Sequence, residues 1–157
     1  MIIMGVDPGT ATTGFGVLEK TKQGLSCLDY GAIITSRDDP QETRLNRIYN
    51  QITKLLAKHQ PKIIVVEKLF FFKNLKTALP VSEARGVILL AIAKKKIKII
   101  ELTPLEIKMG ICGYGRADKK QVQEMVKTIL GLDKIPKPDD AADALAAAIC
   151  GERVCKY

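Results

Sequence analysis

Histidine is almost missing from this sequence, and His59, the one present, closes a surface-helix pattern, where it is expected to be solvated and without a role. No histidine is therefore placed to serve as a catalytic base. The four cysteines, Cys27, Cys112, Cys150 and Cys155, include no C-x-x-C pair. That spacing argues against a zinc ribbon or a dithiol redox motif and leaves buried or free thiols in a reducing cytosol. No apolar run is long enough to span a bilayer. The opening MIIMGVD is too short and too soon acidic for a secretory signal, so a cytoplasmic location with no membrane partner is expected. Repeats, low-complexity tracts and linker-like stretches are also lacking, and 157 residues suit a single domain over 1–157.

What the chain does have is positive charge and apolar residues. Lys and Arg outnumber Asp and Glu by 25 to 17, a formal +8. A polyanionic partner becomes a reasonable expectation, because neutralising phosphates releases counterions. An apolar fraction of 46% is ordinary for a folded domain and argues against disorder.

The pattern along the chain predicts a mixed α/β sheet. Strands are expected over Ile2–Asp7, Thr12–Glu19 and Ser26–Ser36, with turns short enough for an antiparallel meander. Leu45, Ile48, Ile52, Leu55 and Leu56 give Gln41–His59 the period of an amphipathic helix, ended by Pro61. Lys62–Glu67 and Ile97–Leu102 read as strands buried on both faces. Between them Val81–Lys96 has a helical pattern, with Pro80 expected to delay its start or kink it. Thr103-Pro104 pairs a good N-cap with proline at the first helical position. Asp118–Leu130 and Asp139–Ile149 read as closing helices, each opened by an aspartate.

The informative acids sit at the ends of these elements. Asp7 ends the first strand and Glu67 the fourth, so neighbouring strands would bring both to one edge of the sheet. Asp140 and Asp143, three apart on a helix, share a face. Each position has a blander reading: Asp7-Pro8-Gly9-Thr10 as a turn, and Asp139–Asp143 as a cap with first-turn acids favoured by the helix dipole. Glu67 resists such a reading, because it stands between IIVV and LFFF. Four clustered carboxylates repel one another, and a pair of hard divalent cations offsets that repulsion. Two such ions can activate water and stabilise the leaving oxygen of a phosphodiester.

Taken together, the motifs resemble the RuvC family of Holliday-junction resolvases. They are Gly5-Val-Asp-Pro-Gly9, Thr13-Gly14-Phe-Gly-Val17, Glu67, Phe70 to Lys73-Asn74, Ala84-Arg-Gly86, Gly113-Tyr-Gly115, Lys119–Gln123 and Asp140-Ala-Ala-Asp-Ala-Leu-Ala146, in that order. The resemblance implies an RNase H-like fold: a five-stranded mixed sheet, three strands antiparallel and two parallel, with helices on both faces. It implies a bacterial, cytoplasmic homodimer that makes paired cuts at four-way DNA junctions in recombination and repair. It also implies Asp7, Glu67, Asp140 and Asp143 as ligands for two Mg²⁺ ions, with Mn²⁺ a substitute. Phe70 matches an aromatic that probes the junction, and Lys108 and Lys119 match basic residues beside the cut. Lys73 and Arg116 are expected to join them on DNA, and a RuvA–RuvB-type branch-migration complex is the implied partner. The family departs from this chain at Ser82-Glu-Ala-Arg-Gly86, where Gly-Gln-Ala-Arg-Gly is common.

Three rival readings fit the sequence less well. Asp-x-Gly-Thr also resembles the phosphate loop of actin-like ATPases, but those need two large domains. An RNase H-like nuclease acting on RNA fits less well with the Phe-rich loop and the Lys108–Lys120 segment. A pure junction binder would have no reason to place four acids beside phosphates.

Phe70 provides a test that separates a junction enzyme from a general nuclease. An aromatic three residues past Glu67 can stack on an unpaired base, a contact of about 1–3 kcal/mol available only where the duplex is open. Phe70→Ala should severely impair junction cleavage while leaving thermal stability and plain-duplex binding nearly unchanged. A variant that melts early yet cuts normally per folded molecule would make Phe70 a core residue.

Overall fold

The computed structural model describes residues 1–68 and 75–154, with the side chains of 75–77 outside the description. Five strands form one sheet: β1 (Ile2–Asp7), β2 (Thr12–Lys20), β3 (Leu25–Ile34), β4 (Ile63–Glu67) and β5 (Lys98–Leu102). Their order across the sheet is β3-β2-β1-β4-β5. The first three strands are antiparallel, while β4 and β5 run parallel to β1. The helices are α1 (Gln41–His59), α2 (Leu75–Lys94), α3 (Pro104–Cys112), α4 (Lys119–Leu130) and α5 (Asp139–Val154).

Alternation along the strands sorts the side chains into two cores. Met4, Val6, Ile64 and Val66 pack with Ile48, Ile52, Ile88 and Ile92 of α1 and α2. Ile3, Ile63 and Val65 face the other way, onto Ile107, Val126 and Leu145 of α3, α4 and α5. A strand period of two then puts Asp7 in phase with Ile3, and Glu67 in phase with Val65. Both acids therefore face α3, α4 and α5.

Helix α5 lies unusually close to this sheet. A Cβ on Gly5 would run into the Ala144 carbonyl oxygen, and one on Gly14 would run into the Asp140 carbonyl oxygen. From the helix side, Ala141, Ala142, Ala144 and residues 145–149 are essentially solvent-free. Small side chains on both surfaces let backbone approach backbone. The first turn of α5 is thereby fixed beside the end of β1.

Several expectations need correcting. Helix α2 begins at Leu75, so Pro80 sits inside it rather than delaying it. Proline forfeits one backbone hydrogen bond near the helix start, and the buried Ala84, Ile88, Ala91 and Ile92 hold the later turns in place. Strand β5 is an edge strand with Lys98 and Glu101 exposed, not a strand buried on both faces. Among the described residues, no helix is long and apolar enough to cross a membrane.

If the close approach of α5 organises the fold, Gly5→Ala should cost about 1–3 kcal/mol or more through overpacking against backbone that has little room to move. Urea unfolding measures this. A midpoint within error of the parent would mean that α5 can shift freely.

Candidate active site

The register Val6↔Val66 places the next residues, Asp7 and Glu67, side by side at the carboxyl ends of parallel strands. Asp7 is paired across to Gly14, the residue whose missing side chain admits Asp140. The turn after Asp7 is braced from β2 and β3. Thr13 Oγ1 donates to the Gly9 carbonyl at 2.6 Å, and the Thr35 amide donates to the Ala11 carbonyl at 3.0 Å. Glu67 is steadied by its pairing with Leu102 and by the Lys68 amide, which donates to the Leu102 carbonyl at 2.8 Å.

Two capping boxes set the cationic side of the site. Thr103 Oγ1 accepts from the Glu106 amide at 3.2 Å while Glu106 Oε2 accepts from the Thr103 amide at 2.7 Å. This starts α3 directly after β5 and brings Pro104, Ile107 and Lys108 over the sheet edge. Asp118 and Gln121 exchange equivalent bonds, each of 2.8 Å, and start α4 at Lys119. A cation at a helix N-terminus opposes the macrodipole, so the position does not serve α4 itself. Lys119 Nζ lies 3.2 Å from Asp143 Oδ2 and 3.6 Å from Asp139 Oδ2.

These elements enclose a cavity of about 250 Å³ lined by Asp7, Glu67, Lys108, Lys119 and Asp143, with Pro104, Ile107 and Val122 as its apolar wall. Burial pushes the Asp7 carboxyl up to about 8, reinforced by the charges of Glu67, Asp143 and Asp140 and opposed by Lys119. Burial likewise raises Glu67 to about 7; Asp143 adds to it, and Lys119 and Lys108 oppose it. Asp143 is raised too, because burial outweighs its pairing with Lys119. For Lys119, burial acts downward, yet Asp143, Asp139 and Asp140 hold the ammonium above its ordinary value. The cavity thus gathers more carboxyl groups than its two lysines can keep ionised.

That donor set suits a hard divalent cation, which takes oxygen ligands from a few carboxylates and keeps several waters. Among the described residues no three acidic, histidine or cysteine side chains are grouped so that they could hold a metal ion by themselves. The carboxylates line an open cavity instead, leaving room for water and a phosphate.

The structure brings Asp7, Glu67, Asp143, Lys108 and Lys119 onto this cavity, with Asp140 one turn before Asp143 and electrostatically coupled to Asp7. Arg116 is exposed on the loop before α4 and is not among the cavity residues. Phe70 and Lys73 lie outside the described residues. Asp139 does not act as the expected cap: it is the first residue of α5, and its Oδ1 accepts from Lys137 Nζ at 2.8 Å. His59 is not solvated either, because its Nε2 sits 2.9 Å from Asp29 Oδ2 with the side chain 10% exposed. Sequence reasoning missed the apolar wall, and missed Gly5 and Gly14 as the reason α5 reaches the acids. The available signal was glycine at alternate strand positions facing an alanine-rich helix.

Comparison with known proteins agrees with this geometry. The family model described as "Crossover junction endodeoxyribonuclease RuvC" matches residues 3–151. A protein of that name from Ruminiclostridium cellulolyticum is 55% identical over 150 residues, covering 96% of this chain and 90% of the relative. The solved structure of Thermus thermophilus RuvC superposes with a TM-score of 0.92 at 31% identity, covering 99% of this chain and 96% of the other. The same protein in complex with a Holliday junction substrate gives 0.90 at 28% identity, with the same coverage. The five-stranded mixed sheet is the RNase H-like arrangement these structures share.

The upward displacement of Asp7 has a stability consequence. Its native state favours the neutral carboxyl, so its contribution is most favourable below about pH 4 and is lost as pH rises to about 8. In EDTA, Asp7→Asn should therefore stabilise the protein by on the order of 1–3 kcal/mol at pH 8 and by almost nothing at pH 4. Melting curves at the two pH values test it, and equal or opposite shifts would contradict the electrostatic account.

Proposed function

We infer the activity from one premise: the chain belongs to the RuvC family of crossover junction endodeoxyribonucleases, and it resolves four-way DNA junctions by phosphodiester cleavage with a divalent metal ion. The observation that carries the site assignment is the convergence of Asp7, Glu67 and Asp143, with Asp140 beside them, on a cavity rimmed by Lys108 and Lys119. We read these four acids as the metal ligands and the ions as two Mg²⁺ per site, with Mn²⁺ able to substitute. The support is an all-oxygen donor set containing neither histidine nor cysteine. When bound, the ions supply positive charge that offsets the carboxylates and polarises the scissile phosphodiester.

The chain's own residues do the rest. Lys108 and Lys119 hold the incoming phosphate, and Lys119 is suited to this because its side chain is 55% exposed despite its pairing with Asp143. Ile107 and Val122 keep bulk water from one side of the cavity, which strengthens every charge interaction inside it. Phe70 and Lys73 contact DNA by resemblance to the family motif, and Arg116, which is not among the cavity residues, does so from its place beside the Gly113–Gly115 turn.

Two strands must be cut at a junction, which calls for two copies of the site. Helix α2 carries the surface for a homodimer: Leu79 is 73% exposed, Leu90 is 55% exposed, and Gly86 lies between them with open space around it. An exposed apolar stripe with a glycine at its middle lets a second helix approach closely. A partnership with a RuvA–RuvB-type branch-migration complex, and action in the bacterial cytoplasm, follow from family membership.

The assignment is tested by charge-removing, shape-preserving variants. Asp7→Asn, Glu67→Gln, Asp140→Asn and Asp143→Asn should each abolish junction cleavage while leaving junction binding intact, since binding rests on Lys and Arg. With wild type, Ca²⁺ should support binding without turnover. Cleavage near the parent rate in any variant removes that residue from the site, and full activity in EDTA overturns the metal requirement.

A further inference from the structure

A group of lysines in this chain lies away from the catalytic cavity. Residues 43–66 contain Arg44, Arg47, Lys54, Lys58 and Lys62 and no acid; residues 84–100 contain Arg85, Lys94, Lys95, Lys96 and Lys98 and no acid. Of these ten, Arg44 donates to Thr35 and Arg85 pairs with Glu101, both toward the strand ends that carry the acids, so the lysines alone form the distant group. Both stretches belong to the α1–β4 and α2–β5 segments, and their lysines gather where these helices end and the parallel strands begin.

This pole lies at the sheet edge opposite the acids. Glu67 ends β4 and Lys62 precedes it, so the two edges are separated by five residues, about 17 Å. There a surface cavity of about 510 Å³ is lined by Lys62, Lys95 and Lys96 together with Gln60, Pro61 and Ile97. Lys62, Lys94, Lys95, Lys96 and Lys98 are all exposed. None of them forms an ion pair among the described residues, whereas Lys58 pairs with Asp29 and Arg85 with Glu101.

Compensation of helix dipoles does not account for the cluster. Lys58 and His59 already occupy the last turn of α1, and Lys94 that of α2. Lys62, Lys95, Lys96 and Lys98 lie beyond the helices. Uncompensated like charges this close repel one another, so the folded state bears a cost that an external anion would relieve.

We propose that this lysine pole is a second, sequence-independent contact surface for the nucleic-acid backbone, separate from the catalytic cavity, which holds a DNA segment on the far side of the molecule. The inference rests on this chain being a DNA enzyme. The chemistry favours phosphates over an acidic protein. Lysine is depleted at protein interfaces, which rely on aromatic, Met and Arg anchors, and the cavity residues include none of these. Lysine is a common phosphate contact and carries no base information.

The test is the variant Lys62→Gln/Lys95→Gln/Lys96→Gln, with the corresponding Lys→Arg variant as its control. Binding to plain random-sequence duplex is followed by anisotropy across a salt series, and the melting temperature confirms the fold. Loss of three phosphate contacts should lower the slope of log affinity against log salt by roughly two to three and weaken binding roughly tenfold or more at moderate salt. The Lys→Arg variant should keep both. Cleavage of junction at saturating protein should be unchanged, since the acids, Lys108 and Lys119 are intact. An unchanged slope and affinity in the folded Gln variant would overturn the proposal. So would loss of poly-L-glutamate binding with duplex affinity unchanged, which would transfer the surface to an acidic protein. If wild type fails to cut junctions, the resolvase reading fails, while the duplex titration still decides this one.

Discussion

The structure depends on backbone meeting backbone where α5 lies across β1 and β2. Gly5 and Gly14 leave the sheet bare at the points where the Ala144 and Asp140 carbonyls come down. The helix returns the fit with a surface of alanines that are wholly buried. Larger residues at either surface would lift α5 away from the sheet. Asp140 and Asp143 would then no longer stand beside Asp7 and Glu67, and the cavity would open into a groove. Position in the fold and chemistry of the site are thus set by the same contact.

That contact has an electrostatic cost. It drives carboxylates together in a partly desolvated place, so burial first and mutual repulsion second push Asp7 and Glu67 far above the ordinary carboxylate range. A sequence selected for stability alone would relieve this with an amide or an apolar residue. Strain kept at one cluster, in a domain whose other charges are paired or exposed, marks the cluster as functional. The distribution of basic residues gives the complementary picture. Two lysines rim the acids, and a separate group of lysines without ion-pair partners among the described residues stands at the opposite end of the sheet.

Much of this was legible in the residues, for local reasons. Helix α1 matched its predicted span because the period of Leu45, Ile48, Ile52 and Leu56 and the stop at Pro61 are local signals. Thr103 and Asp118 formed the caps their neighbours suggested, because a capping box is written within four residues. The acids at the ends of β1 and β4 could be placed because strand ends are local as well. Tertiary effects were harder to read. Buried contacts from Ala84 onward carried α2 back through Pro80, and strand order alone made β5 an edge. His59 acquired its partner from β3, thirty residues away in sequence. The glycines of β1 and β2 were read as motif letters; only the docked helix reveals that their missing side chains make room for it.

The central claim is that this docking gathers Asp7, Glu67, Asp140 and Asp143 into one divalent-metal site. The most direct measurement is anomalous scattering from crystals soaked in Mn²⁺. Peaks within ligand distance of carboxylates from β1, β4 and the first turn of α5 are expected, and they should vanish in Asp7→Asn crystals soaked in the same way. Peaks confined to other acids, or ion binding at the cavity that is untouched by Asp7→Asn, would contradict the account.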